Sequence, residues 1–228
     1  MTIAHDIKDL LTEPKLTLSR IRNMRRRAQL SQLLGEIFIR QSYYWLYSNL
    51  KKNTTLIDIG ANVGDTAIYF AMGPNVRKVF AYEPIPSTYK EALTNLEDSP
   101  YKGKIVLFNA AIMERHLEKR ISQNQVGGVD SDFAELRNLR KGKVVKALTL
   151  ADALKGKRNV AIKCDCEGCE HRIFTKGVDL SNVYALRIEV GKEQGDIPEL
   201  LKDMGFEVSI YHNRYRIGYV CAKRRTKR

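Results

Sequence analysis

No stretch of this 228-residue chain approaches the 18 or more consecutive apolar residues of a membrane-spanning helix. The first residues, "MTIAHDIKDLL", lack the basic region and apolar run of a secretory leader, and the chain reads as a cytoplasmic protein. Cysteine is scarce, at four residues. In a reducing compartment that number predicts free thiols or metal ligands, and excludes a disulfide framework. No internal repeat and no low-complexity segment appears, apart from the basic end "KRRTKR". These absences leave an ordinary globular domain, long enough to bury roughly 70% of the surface its unfolded form exposes.

What is present in excess is positive charge. The net charge of +13 divides into +6 over residues 1–52, −1 over 53–111, +5 over 112–159 and +3 over 160–228. Residues 1–50 have helix-like apolar spacing, with the basic run "RIRNMRRR" and the aromatic run "YYWLY". The aromatic run is expected to dock a helix on its own domain in preference to an RNA surface.

From Thr55 short β-rich runs alternate with helix-like stretches: "LIDI", "KVFAY", "KIVLF", "NVAIKC" and "YALRIEV", separated by segments such as "DTAIYFAM" and "PSTYKEALTNLED". That alternation predicts an α/β, Rossmann-like doubly wound sheet. The last two runs, "FEVSIYH" and "IGYVCAKR", are joined by only "NRYR" and must pair antiparallel, since a parallel return needs a crossover of a dozen or more residues. Between "LFNAAI" and "NVAIKC" lies a charged insertion of nearly fifty residues, whose "QVGGVDSD" suggests a loop at the rim of the sheet.

The near-neutral block holds the clearest motif, "TLIDIGANVGDT". Asp58 ends a strand, Gly60, Asn62 and Gly64 form the turn, and a helix starts at Asp65 or Thr66, whose unpaired N–H groups can meet a ligand. The spacing lacks the first glycine of the G-x-G-x-x-G dinucleotide fingerprint. An acid at Asp58 would repel a diphosphate and suits a cationic, amine-bearing ligand such as S-adenosyl-L-methionine. Glu83 ends the second strand, 25 residues on, where an acid can accept both hydrogen bonds of a ribose diol. Asn109, closing the third strand, is placed to meet the adenine.

Three segments in order, "LIDIGANVGDT", "VFAYEPIPSTYKEALTNL" and "VAIKCDCEGCE", resemble the FkbM family of class I S-adenosylmethionine-dependent methyltransferases, the last matching its K-x-D-x-E-G-x-E. The resemblance spans about Thr55 to Val190. It implies a seven-stranded sheet with an antiparallel last strand, S-adenosyl-L-methionine as cofactor, and O-methylation of a small-molecule or glycan hydroxyl. The expected division is an N-terminal helical extension over 1–50, the methyltransferase domain over 51–222 and a basic tail over 223–228.

The stretch from Val160 to Phe174, "VAIKCDCEGCEHRIF", carries three cysteines among three acids. If "NVAIKC" is the fourth parallel strand, Cys164 and Cys166 share one face and act as small packing residues. A thiolate metal site completed by Cys221 ranks second, and no metal is expected. Asp165 sits at the C-terminal rim with Glu167 and Glu170 on the following turn, and these three are the catalytic candidates. Asp165 or Glu167 is expected to orient or deprotonate the acceptor, with Glu170 and His171 weaker choices; Glu189 is a further pocket acid or a solvated strand end. No Asn-Pro signature of base-amino methylation follows that strand. The competing functional readings are an RNA methyltransferase using the basic segments, and a non-catalytic cofactor-binding scaffold.

Overall fold

The structure, a computed structural model, describes residues 43–97, 99–121, 143–191, 195–212 and 218–225. The run "RIRNMRRR", the loop "QVGGVDSD" and the link "NRYR" lie outside the described residues. In chain order the elements are α1 (Tyr44–Ser48), β1 (Thr54–Ile59), α2 (Asp65–Met72), β2 (Val76–Tyr82), α3 (Pro86–Glu97), β3 (Ile105–Phe108), β4 (Ala110–Met113), β5 (Leu117–Ile121), β6 (Lys143–Thr149), α4 (Leu150–Leu154), β7 (Val160–Cys164), α5 (Glu170–Ile173), β8 (Val183–Gly191), α6 (Ile197–Asp203), β9 (Phe206–His212) and β10 (Gly218–Arg224).

The main sheet has seven strands in the order β3-β2-β1-β7-β8-β10-β9. β1, β2, β3, β7 and β8 run parallel, and β10 is antiparallel to both β8 and β9. The sheet is thus Rossmann-like and doubly wound, with the antiparallel insertion that the short C-terminal link predicted. Every residue of β1 and of β7 is buried, as parallel strands covered on both faces require. On one face Ile57, Ile59, Ile162, Cys164, Leu186 and Ile188 pack with Ile112, Leu150 and Phe174; on the other Leu56, Ala161 and Ala185 pack with Leu46, Ile68 and Phe70.

Three local features position the site. Pro86 opens α3, where its fixed φ suits a first helical turn. Thr149 and Asp152 form a reciprocal capping box that starts α4. The aromatic run docks as expected: Tyr43 and Leu46 are buried, and Tyr43 meets Phe70 edge-on at 6.1 Å between ring centroids.

The described parts of the long insertion carry strands of their own. β4, β6 and β5 form a second, three-stranded sheet, so "LFNAAI" is two strands that part at Asn109. At the C-terminus β10 runs to Arg224, two residues into the stretch read as a tail. The Arg224 guanidinium donates to the carbonyls of Val183 at 3.0 Å and Leu180 at 2.6 Å. Among the described residues no helix is long and apolar enough to cross a membrane.

Candidate active site

The C-terminal ends of β1, β2 and β7 converge on the turn after β1. Gly60 (φ +76°) and Gly64 (φ +83°) take the left-handed backbone that glycine adopts without steric penalty, and Asn62 (φ +49°) is among the residues that tolerate it. At Gly60 the need is doubled: a Cβ there would lie 1.8 Å from the carbonyl oxygen of Asp165, so only glycine lets the two loops touch. The N–H groups of Gly60 and Ala61 both donate to the Tyr82 carbonyl at 3.0 Å, hanging the turn on β2. Asp65 then starts α2, its Oδ1 accepting from the Thr66 N–H at 2.8 Å.

Beneath the turn runs a row of buried charge. The strand register places Asp58, Lys163 and Arg187 side by side on β1, β7 and β8, all at or below 1% exposure. Lys163 Nζ is 3.0 Å from Asp58 Oδ1 and donates to the Gly60 carbonyl at 2.5 Å. The Thr66 hydroxyl donates to Asp58 Oδ2 at 2.7 Å. Burial alone would push the Lys163 pKa down, but the neighbouring Asp58, Tyr43 and Asp165 outweigh it and raise the pKa above its ordinary value. The charge of Asp58 is therefore offset from beneath by Lys163, and its two oxygens are engaged by Lys163 and Thr66. The Arg187 guanidinium is held between the rings of Tyr43 and Tyr219, 4.5 and 4.2 Å from their centroids, with Glu189 Oε2 4.0 Å from Nη2.

Glu83 follows β2 and is buried, with Oε2 accepting from the Asn62 N–H at 2.9 Å and Oε1 from the Ile85 N–H at 2.8 Å. Burial pushes its pKa up to about 7, against the opposing pull of those two bonds. Each oxygen keeps acceptor capacity for one more donor. Asn109 commits its amide N–H groups to the carbonyls of Glu83 and Pro84, at 2.9 and 3.0 Å, which steadies the end of β2. Both N–H donors of that amide are thereby engaged within the fold.

Asp165 is half-buried directly after β7, its N–H donating to the Ile59 carbonyl at 3.0 Å. Its Oδ2 accepts from the Tyr43 hydroxyl at 3.4 Å. Glu167 is exposed, with left-handed backbone at φ +56°. Glu170, the first residue of α5, is buried; Oε1 accepts from the Cys166 N–H at 2.9 Å and Oε2 from the Gly168 N–H at 3.0 Å. Its carboxylate closes the turn between β7 and α5, the arrangement of a clamp. His171 is exposed on α5. Glu189, two residues beyond Arg187 on the same face, has its pKa pushed up to about 8 by burial and by the Asp165 charge, against the pull of Arg187.

The cysteines depart from the expectation of free thiols or metal ligands with no disulfide. The left-handed pair Glu167 and Gly168 turns the chain so that Cys166 and Cys169, 5.6 Å apart at Cα, are joined as a disulfide; Cys164 and Cys221 are free and buried. Cys164 and Cys166 do share a side, with their sulfurs 3.7 Å apart.

The sequence profile of the "Methyltransferase FkbM domain" matches residues 58–208, about two thirds of the chain. The chain belongs to the FkbM methyltransferase family. Among solved structures it is similar to an FkbM methyltransferase from Methylobacillus flagellatus, with 13% identity over 96% of this chain and 60% of that one, and a TM-score of 0.50. It is also similar to a Streptococcus pneumoniae protein proposed to be a tRNA (m1A22) methyltransferase and solved with S-adenosyl-L-methionine. There the identity is 17% over 82% of this chain and 74% of that one, with a TM-score of 0.53. No curated protein matches the sequence.

As an FkbM methyltransferase the protein uses S-adenosyl-L-methionine, and the residues present fit that cofactor. The turn after β1 leads with left-handed Gly60 and Gly64 into the N-terminus of α2, and each oxygen of the buried Glu83 carboxylate accepts one backbone N–H and keeps acceptor capacity for a diol. Sequence reasoning gave no role to three residues that build this FkbM site: Lys163, matched only as the first position of the K-x-D-x-E-G-x-E segment, Arg187 and Tyr43. A signal existed for the first two, since a charge inside the otherwise apolar strands "VAIKC" and "ALRIEV" must be paired when both faces are covered. Tyr43 carried none, because its contact with Asp165 spans 122 positions.

Proposed function

We propose that this FkbM methyltransferase methylates a hydroxyl group of a small molecule or glycan, with Asp165 orienting the hydroxyl and accepting its proton, and Glu167 lining the acceptor side. The observation that carries the reading is the division of labour among the three acids after β7. Glu170 has both oxygens engaged by backbone N–H groups, whereas Asp165 stands at the rim against the glycine turn, held by Tyr43. The cofactor supplies an electrophilic methyl group, displaced in line by the acceptor oxygen. Glu83 and the turn around Gly60 and Asn62 hold the ribose end, while the Asp58–Lys163 pair fixes the turn. Placement does most of the work here, and a carboxylate that receives the hydroxyl proton adds the base.

A second reading, methylation of a ribose hydroxyl in RNA, draws on the net charge of +13. Weighing against it, Arg224 of the basic end is committed to main-chain carbonyls of the fold. Transfer of a labelled methyl group into a cell extract separated into RNA, protein, lipid and small-molecule or glycan fractions decides between them. The proposal expects label in the small-molecule or glycan fraction, absent with Asp165→Ala. Label in RNA, lost in the same variant, would replace it.

A further inference from the structure

We propose that Cys164, Cys166, Cys169 and Glu170 form a tetrahedral thiolate site for a zinc-type divalent metal, filled when the Cys166–Cys169 pair is reduced. The sequence reading ranks a thiolate site second and completes it with Cys221, taking Cys164 and Cys166 as packing residues of one strand. The strand, however, ends at Cys164. Beyond it the left-handed Glu167 and Gly168 turn the chain so that Cys169 and Glu170 come back beside Cys166, whose sulfur lies 3.7 Å from that of Cys164. The ligand atoms of Cys164, Cys166 and Glu170 all lie within 4.8 Å of one another.

Two of the separations already match those a single ion imposes. Zinc at about 2.3 Å from sulfur and about 2.0 Å from oxygen places tetrahedral neighbours about 3.8 Å apart for two sulfurs and about 3.5 Å for sulfur and oxygen. Cys164 Sγ and Cys166 Sγ are 3.7 Å apart, and Glu170 Oε1 is 3.3 Å from Cys166 Sγ. Cys166-x-x-Cys169 has the spacing of a zinc knuckle. Its Cys169 is buried and bonded to Cys166, so opening that bond frees a fourth ligand next to the other three. The N–H groups of Cys166 and Gly168, already donating to the Glu170 oxygens, are the outer-shell donors that orient a ligating carboxylate. Cys221 is excluded: it pairs in register with Arg187 on β8, in the row of Asp58 and Lys163, away from this cluster.

The disulfide and the metal draw on the same sulfurs and exclude each other. A dithiol reductant supplies two electrons and two protons to open the bond, and the divalent ion then displaces the three thiol protons. Either form closes the loop that carries Asp165 and Glu167, so the site fixes the acceptor side of the pocket independently of which acceptor is bound.

The test uses the full chain, reduced with a dithiol and then freed of it, titrated with Co(II) and with Zn(II) alone. The expected result is one ion per chain, with the visible bands of tetrahedral Co(II) and thiolate-to-metal charge transfer. Zn(II) affinity should fall at least about 10-fold in Cys164→Ser and in Glu170→Gln, and stay unchanged in Cys221→Ser. Oxidising the wild-type protein should abolish uptake, a reading that holds even if a variant fails to fold. Reduced wild-type protein without the tetrahedral Co(II) spectrum, or Cys164→Ser with undiminished affinity, would overturn the proposal.

Discussion

At the scale of single residues, the Asp58–Lys163 pair is the most constrained feature. With both side chains almost wholly excluded from solvent and 3.0 Å apart, removing one partner strands the other. Lys163→Met should cost on the order of 3–5 kcal/mol in urea unfolding, and adding Asp58→Asn should recover part of it. A single-variant loss under about 1 kcal/mol would mean that the pair does not hold the turn. Glu167 shows the opposite balance, a non-glycine residue in left-handed backbone on the acceptor side. Glu167→Gly should therefore leave stability equal or higher by about 1 kcal/mol while lowering methyl transfer, and Glu167→Gln should lower transfer without a change in melting temperature. Full transfer in both would remove Glu167 from the chemistry.

At the scale of elements, the meeting of the β1 and β7 turns at Gly60 carries the argument. Gly60→Ala places a methyl group against the Asp165 carbonyl and forces a positive φ on alanine, so cofactor affinity and stability should fall together. Stability lost with affinity intact, by calorimetry and thermal unfolding, would separate the turn from the cofactor. The legible parts of the fold are those with local signals. The glycine turn, the strands on either side of it and the C-terminal hairpin each announce themselves through spacing or link length. The second sheet, β4-β6-β5, does not, since β4 leaves β3 after one residue and pairs with a strand that begins thirty positions on. The candidate site divides in the same way: Glu83 and Asp165 are found from their place at strand ends. The clamp role of Glu170, the bonding of Cys166 to Cys169 and the contact of Tyr43 with Asp165 depend on where the backbone turns, which no residue pattern encodes.

At the scale of the whole molecule, the buried Glu83 and the half-buried Glu189 make the free protein sensitive to pH. Glu83 and Glu189 have pKa values pushed up to about 7 and about 8 in the fold, above their unfolded values, both chiefly by burial. A raised carboxyl pKa means that the folded state binds protons more tightly, so this contribution is fully present below the unfolded pKa and is lost as pH rises through 7 and 8. Cofactor-free protein should thus lose stability across that window, and Glu83→Gln should remove the lower part of the loss. Donors from a ribose diol favour the ionised Glu83, so cofactor binding should tighten as pH rises through about 7 and release a proton below it.

The most direct test of the account is a calorimetric titration of S-adenosyl-L-methionine into the wild-type chain and into Glu83→Ala, at pH values on either side of 7. Binding should strengthen above pH 7 in the wild type and weaken at least about 10-fold in the variant, with the pH dependence lost as well. Equal affinity in the two proteins would contradict the placement of the cofactor at the rim of β1, β2 and β7.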